Sequence, residues 1–399
     1  MRHFFIYKRP FVSYYKIMKL VLLLGAGTLV FAASVTTGWQ FIFPPKEIKV
    51  AEVEALPRQK SKEELISAAL EKSSQIKALY VTADVANDQG AGAARIRNNL
   101  IGLADTTEIN GLVIDVKEVC GPDYNEKNLK KLLEELHQKN IWAIARIVVL
   151  KDASQFEMHP EWYLKRKNPV KISDQCYRKK HLRAKNPESR NKTDIFWQDN
   201  KGGYWVDPAS EGTRGYTLDF TKKMLDLGFD EIQFDYIRFP SDGDVQKAIY
   251  PVWDGKTAKC SVMKGLFEYL SKNLRAYKSD VILSADFFGY AAIGLDTGIG
   301  QCIEGLENNF DYMSFMLYPS HYYNGFYVGA YPARNLSPLK YTFSQSRTHP
   351  DVIIERSLIF ARDFFSGFIL SPNATSTTAT STNPMVRSHT RLRPWLEDF

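Results

Sequence analysis

From about residue 76 onward the sequence alternates short β-rich apolar runs with amphipathic stretches, and that rhythm restricts the fold more than any other feature. The runs fall at 77–85, 111–117, 141–149, 231–238, 281–287, 312–318 and 392–398. Between them lie helical stretches near 91–103, 125–138, 213–227, 261–277, 299–309 and 355–365. In the clearest of these Leu129, Leu132, Leu133 and Leu136 share one face, and Gly228 sits where a helix C-cap belongs, just ahead of the fourth run. Strand–helix alternation of this kind predicts a parallel sheet with helical crossovers, here a (β/α)8 barrel of the TIM type. Such barrels take about 250 residues, so a 399-residue chain has room for one barrel with tails and insertions. No repeat of solenoid or propeller period interrupts this reading.

The flanks have a different character. Residues 1–19 carry Arg2, Lys8, Arg9, Lys16 and Lys19 without an acid, and the segment 20–43 is uncharged and largely apolar. That order predicts either a signal peptide, with Ala32, Ala33 and Ser34 as a cleavage-like site, or a single-pass membrane anchor whose N-terminus stays in the cytoplasm. Both place the barrel outside, anchored to the cell membrane or secreted after cleavage. Residues 44–75 read as a charged linker containing a short helix, 153–212 as a basic and aromatic insertion, and 371–389, rich in Ser and Thr, as a disordered loop.

The formal charge of +7 is concentrated rather than spread. The N-terminal 19 residues account for +5 and residues 165–193 for +9, which leaves −7 for the rest of the chain. An acidic body of this kind argues against a nucleic-acid surface. Cys120, Cys176, Cys260 and Cys302 form no C-x-x-C pair, so neither a zinc site nor a thioredoxin-type motif has support. They are expected to be unpaired packing residues, or to form one or two disulfides if the barrel is exported.

In a closed parallel barrel alternate strand residues point inward, and the C-terminal strand ends hold the active site. One parity near those ends is polar: Thr82 and Asp84, Asp115 and Lys117, Arg146, Gln233 and Asp235, Ser284 and Asp286, Ser314 and Tyr318. The other parity is apolar, as in Leu112/Ile114, Ile232/Phe234 and Leu283/Ala285, and is expected to face the helices. Buried acids are costly unless a site uses or pairs them, so their recurrence at strand ends points to chemistry. Cleavage of a glycosidic bond needs two carboxyl groups, and Asp235 and Asp286 supply a pair from adjacent strands. The competing reading is that Asp235 pairs with Arg146 or Arg238. Asp84, Asp115, Lys117, Glu118, Arg146, Asp207, Arg238, Tyr318, His321 and Glu397 are candidate substrate-binding groups. Trp162, Trp205, Tyr236, Phe288, Tyr290 and Tyr322 offer rings on which sugar faces stack.

The segments Asn110–Glu118 (NGLVIDVKE), Tyr204–Pro208 (YWVDP), Gly228–Pro240 (GFDEIQFDYIRFP), Met316–His321 (MLYPSH) and Leu392–Phe399 (LRPWLEDF) resemble the putative glycosyl hydrolase domain family (DUF4015). The resemblance covers about residues 76–399 and rests most on the FDYIRFP run. It implies a TIM-type barrel related to amylase-like hydrolases, in which the fourth strand carries an Asp nucleophile and the fifth an acid/base carboxylate. By position these are Asp235 and Asp286, although the fifth-strand acid of amylase-like barrels is usually Glu. Family members continue past the WLEDF strand into a further helix and strand, so seven strands and an incomplete barrel with an open edge are expected. The resulting expectation is an extracytoplasmic hydrolase of a polysaccharide or oligosaccharide, working through two carboxylates without a cofactor or metal. The alternatives are a truncated, non-catalytic carbohydrate-binding or wall-associated barrel, and a metal-dependent hydrolase using Asp84, Asp115 and His321.

Overall fold

The computed structural model describes residues 60–171, Cys176, 193–305, 309–366 and 390–397, all within the unit from Lys60 to Phe399. The basic N-terminus, the apolar segment 20–43, most of the linker, most of the basic stretch at 165–193 and the loop 371–389 lie outside the described residues. Among the described residues no helix is long and apolar enough to cross a membrane.

Seven parallel strands form the body of the main sheet: β1 (Ala78–Val81), β2 (Gly111–Glu118), β3 (Trp142–Val148), β4 (Glu231–Asp235), β5 (Ile282–Phe288), β6 (Tyr312–Leu317) and β7, which is split into Arg391–Leu392 and Trp395–Leu396. Each pairs in parallel with the next in chain order. A doubly wound sheet would reverse its order at a switch point, whereas strictly sequential order is that of a barrel. The sheet curls until the Tyr80 ring of β1 lies 6.0 Å from that of Trp395 in β7, edge to face. Among the described residues β1 and β7 do not pair, so the fold is an incomplete (β/α)8 barrel.

The parity read from the sequence separates two cores. Leu112, Ile114, Ile232, Phe234, Leu283 and Ala285 are sealed in the outer cluster. There they pack with Leu129, Leu132, Leu133 and Leu136 of the helix Glu126–Gln138, and with Met263, Leu266, Phe267 and Leu270 of the helix Lys259–Tyr277. The opposite parity, Val113, Trp142, Ile144, Ile282 and Tyr312, fills the barrel interior. Each of these side chains contributes about 1.5–3 kcal/mol by leaving water.

The helix Lys62–Ser73, capped by a reciprocal Ser61–Glu64 pair, closes the barrel floor. Ala69, Leu70 and Ile76 pack against the inner cluster, the hydroxyls of Ser73 and Tyr312 meet at 2.8 Å, and Arg393 donates to the Ser73 carbonyl at 2.8 Å. The C-terminal part of the segment read as a linker is thus part of the barrel body.

Two local expectations are corrected. β1 ends at Val81 because Thr82 turns outward and its hydroxyl accepts from the Val85 amide, capping a helix over Ala83–Asn87. Thr82 and Asp84 are therefore exposed on that helix rather than inward at a strand end. The helix expected at 299–309 is absent over 299–305, where Gly298, Gly300 and Gly305 adopt positive φ of 78°, 81° and 79° that break an α-helix. The Asp296 carboxylate fixes this loop by accepting from the amides of Ile299 and Gln301. Within the insertion after β3, Lys165–Lys171 and Thr193–Phe196 form an antiparallel pair.

The cysteines are not unpaired: Cys120 bonds Cys176 and Cys260 bonds Cys302, with Cα atoms 5.4 and 5.6 Å apart. The first ties the β2 end to the insertion, the second the Lys259–Tyr277 helix to the loop after β5. Loops of 56 and 42 residues give each bridge a sizeable entropic effect on the unfolded chain. Reduction is expected to lower stability by roughly 2–4 kcal/mol per bridge. Denaturant midpoints with and without reductant check this, and free thiols in the unreduced, unfolded chain would contradict the pairing.

Candidate active site

Inward parity carries Asp115 of β2, Arg146 of β3, Asp235 of β4 and Asp286 of β5 to the C-terminal end of the barrel, the end at which barrels of this type place their chemistry. The Arg146 guanidinium joins the three acids. Its Nη1 donates to Asp115 Oδ1 at 2.5 Å, its Nη2 donates to Asp235 Oδ2, and its Nε lies 3.7 Å from Asp286 Oδ2. The flat fork of arginine suits this arrangement, whereas a lysine ammonium would serve as a single point of charge. Tyr80 donates its hydroxyl to Asp115 Oδ2, and Trp395 Nε1 donates to Asp286 Oδ1 at 2.8 Å. The two strands that border the open seam therefore both contribute to the cluster.

Asp115, Asp235 and Asp286 are only 1%, 6% and 1% exposed. The three acids share one cation in a site closed to water, and their environments differ. Asp286 is pushed well above the ordinary carboxylate range, first by burial and next by the charge of Asp235, against the opposing pull of Arg146. Its Oδ2 receives no hydrogen bond among the described residues and is the oxygen open to protonation. Asp235, by contrast, is directly bonded to Arg146 and accepts from the Tyr236 amide at 2.5 Å. Tyr236 itself holds φ at 52°, a left-handed conformation that costs a bulky residue about 1–3 kcal/mol and clusters at functional sites. Arg146 is held charged, with Asp235, Asp115 and Asp286 together outweighing its burial.

The rim lies beside β6 and β7. Tyr318 is half-buried, and burial with the charges of Asp286 and Asp235 raises its hydroxyl pKa. Glu397 accepts from the Ser320 hydroxyl through Oε1 and from the Ser320 amide through Oε2 at 3.3 Å. The Ser320 hydroxyl also meets His321 Nδ1 at 2.8 Å, and the His321 side chain is exposed. These groups can meet hydroxyl-rich ligands at the mouth without entering the acid cluster.

Other expected site residues are used elsewhere. Lys117 is sealed in an ion pair with Asp152 at 2.7 Å and donates to the Val148 carbonyl. Asp207 is fully buried and clamps loops, accepting from the amides of Ala209, Val252 and Trp253. Trp205 is buried and donates to Asp199. Glu118 ends β2, half-buried, and its charge reaches Tyr80. Asp84 is exposed on its helix, so the proposed metal set of Asp84, Asp115 and His321 does not assemble; among the described residues the grouping with metal-ligand spacing is Cys260, Asp296 and Cys302, whose cysteines are bonded to each other. Arg238 lies beside the cluster between aromatic rings.

Sequence reasoning missed Tyr80, Trp395 and Ser320. Tyr80 shares the parity of Thr82 and Asp84, so the alternation rule would have found it had β1 been ended four residues earlier, at Val81. Trp395 lies two positions before Glu397, within the terminal motif.

A family model described as "putative glycosyl hydrolase domain" matches residues 78–399. No curated protein matches in sequence. Among solved structures, a hypothetical protein from Ruminiclostridium thermocellum is 26% identical over 52% of this chain and 96% of its own, with a TM-score of 0.39. The glycoside hydrolase domain of PgaB (BpsB) from Bordetella bronchiseptica is 10% identical, covers 71% of this chain and 81% of its own, and has a TM-score of 0.43. A maltogenic alpha-amylase, AmyB, from Thermotoga neapolitana is 13% identical over 61% of this chain with a TM-score of 0.37; the chain spans half of that amylase.

Proposed function

Because the chain belongs to the putative glycosyl hydrolase domain family, we propose that it cleaves a polysaccharide outside the cytoplasm, with Asp286 as proton donor and Asp235 as the nucleophile or base. The observation that carries this reading is the convergence of Asp235 and Asp286, from adjacent strands, on the one Arg146 guanidinium inside the barrel mouth. Acid-assisted glycoside cleavage needs one carboxyl that keeps its proton and a second beside it, and burial gives Asp286 the first of these properties. Asp286, raised by burial, delivers a proton to the leaving oxygen; Asp235 acts on the sugar or on water. No cofactor is needed for either step. Tyr318, Ser320, His321 and Glu397 are assigned to holding the glycan at the rim.

Export is proposed from two features. The uncharged segment 20–43 behind a basic N-terminus supports passage through or anchoring in the cell membrane. Two disulfides support an oxidising compartment.

Release of reducing ends from a panel of extracellular and cell-surface polysaccharides tests the function. Glycan binding without any release across the panel would favour a binding barrel instead. The pH profile tests the assignment of the acid. A protonated Asp286 is lost as pH rises through its elevated pKa, so kcat/KM should fall on the basic side. The stability sign is the same: a carboxyl raised on folding contributes fully below its unfolded pKa, and that contribution disappears as pH climbs through the folded value. Asp286→Asn should therefore flatten the decline of stability toward alkaline pH. An unchanged alkaline limb in denaturant midpoints would remove Asp286 from the role.

A further inference from the structure

Four cations around the barrel have their own acids. Arg146 has Asp115, Asp235 and Asp286; Lys117 has Asp152; Lys151 has Asp199; Arg393 has Glu231 at the floor. Arg238 is 8% exposed, and among the described residues no carboxylate forms an ion pair with it. The left-handed turn at Tyr236 directs the chain back after β4, and the Arg238 guanidinium lies 4.4 Å from the Phe288 ring, 5.0 Å from Trp205 and 5.1 Å from Tyr236. Tyr236 directly follows Asp235, and Phe288 stands two residues beyond Asp286 at the end of β5, so this cage adjoins both carboxylates. Two of its three walls come from the strand ends that carry the acids.

The hydrogen-bond pattern of the guanidinium is one-sided. Nη1 donates to the Phe239 carbonyl at 3.0 Å and to the Ser241 hydroxyl at 3.2 Å, which fixes the plane of the group. Nε and Nη2, which lie side by side on the other edge, have no partner among the described residues, and neither is a sealed, orphaned atom. That free edge is the fork with which arginine binds a carboxylate through two parallel hydrogen bonds. A buried cation without an ion-pair partner in contact is costly, and burial lowers the Arg238 pKa against the opposing pull of Tyr236, Asp235, Asp242 and Asp199. An anionic group on a ligand would supply the missing partner.

We propose that Arg238 binds a carboxylate on the sugar chain, so that the preferred glycan is acidic and built from uronic-acid-type units. This inference rests on the glycosidase reading of the neighbouring carboxylates, and its test is independent of turnover. Titration calorimetry on the full chain would use tetramers of galacturonate, of mannuronate and of a glucuronate-containing repeat, each as free acid and as methyl ester. The wild type is expected to bind at least one free acid about tenfold more tightly than its ester, the scale of a charge-assisted bidentate bond. Arg238→Gln should erase that preference while leaving affinity for the ester unchanged, and Arg238→Lys, with charge but no fork, should fall between.

A preference absent from all three pairs in the wild type, or one that survives Arg238→Gln, overturns the proposal even if the variants fold poorly. A sulfated tetramer of equal length that binds more tightly than every free acid overturns the carboxylate assignment. Free-acid preference without cleavage would leave this inference standing and sink the hydrolase reading. Cleavage of neutral glycans without such preference would do the reverse.

Discussion

Asp235→Asn is expected to reduce release of reducing sugar by roughly 10³-fold or more, the scale of removing a directly acting acid, base or nucleophile. The substitution keeps the side-chain shape and leaves an oxygen that can still accept from the Tyr236 amide, so the left-handed turn and the fold should survive. What disappears is the negative charge facing Arg146. A second effect separates a chemical role from a structural one. The charge of Asp235 is the second-largest cause of the raised Asp286 pKa, after burial. Removing it should lower that pKa, so residual activity should lose its basic limb at a lower pH than the wild type does. A pH series on the purified variant, with circular dichroism to verify folding, gives both readouts. Activity within a few-fold of wild type would exclude Asp235 from the reaction.

The architecture was legible because two simple periodicities coincide. Alternation of period two placed Leu112, Ile232 and Leu283 outward and Asp115, Asp235 and Asp286 inward, and the structure separates them as expected. Alternation cannot say which buried charges will find partners. Lys117 shares the polar parity of Asp115 in the sequence, yet a register shift between the two sets Lys117 opposite Ile147, and its ammonium is consumed by Asp152, an acid in a loop whose path no strand pattern encodes. Asp207, a candidate binding group within the Tyr204–Pro208 segment, instead holds amides of a loop some 45 residues away in sequence. Cysteine pairing was equally hidden, since separations of 56 and 42 residues carry no local signal. The floor helix was obscured by its composition: most of Lys62–Ser73 is polar and exposed, and its docking face is little more than Ala69, Leu70 and Ser73.

Arg146→Met should be the most destabilising single change in the barrel mouth. The side chain keeps part of its volume but cannot pair, leaving Asp115, Asp235 and Asp286 together at 1–6% exposure without their common cation. Breaking a buried pair from one side costs about 3–5 kcal/mol, because the remaining charge is stranded. The dependence on pH identifies the cause. In the variant, burial and mutual repulsion penalise negative charge in the cluster with no cation to offset them, so the penalty is small in acid and grows as pH rises past the ordinary carboxylate range. Urea midpoints should therefore differ little from wild type near pH 4 and strongly at pH 7, and Arg146→Lys should lie between, since one ammonium cannot reach three acids. A loss of equal size at both pH values would mean that packing, not charge, makes Arg146 necessary, and the electrostatic account of the cluster would fail with it.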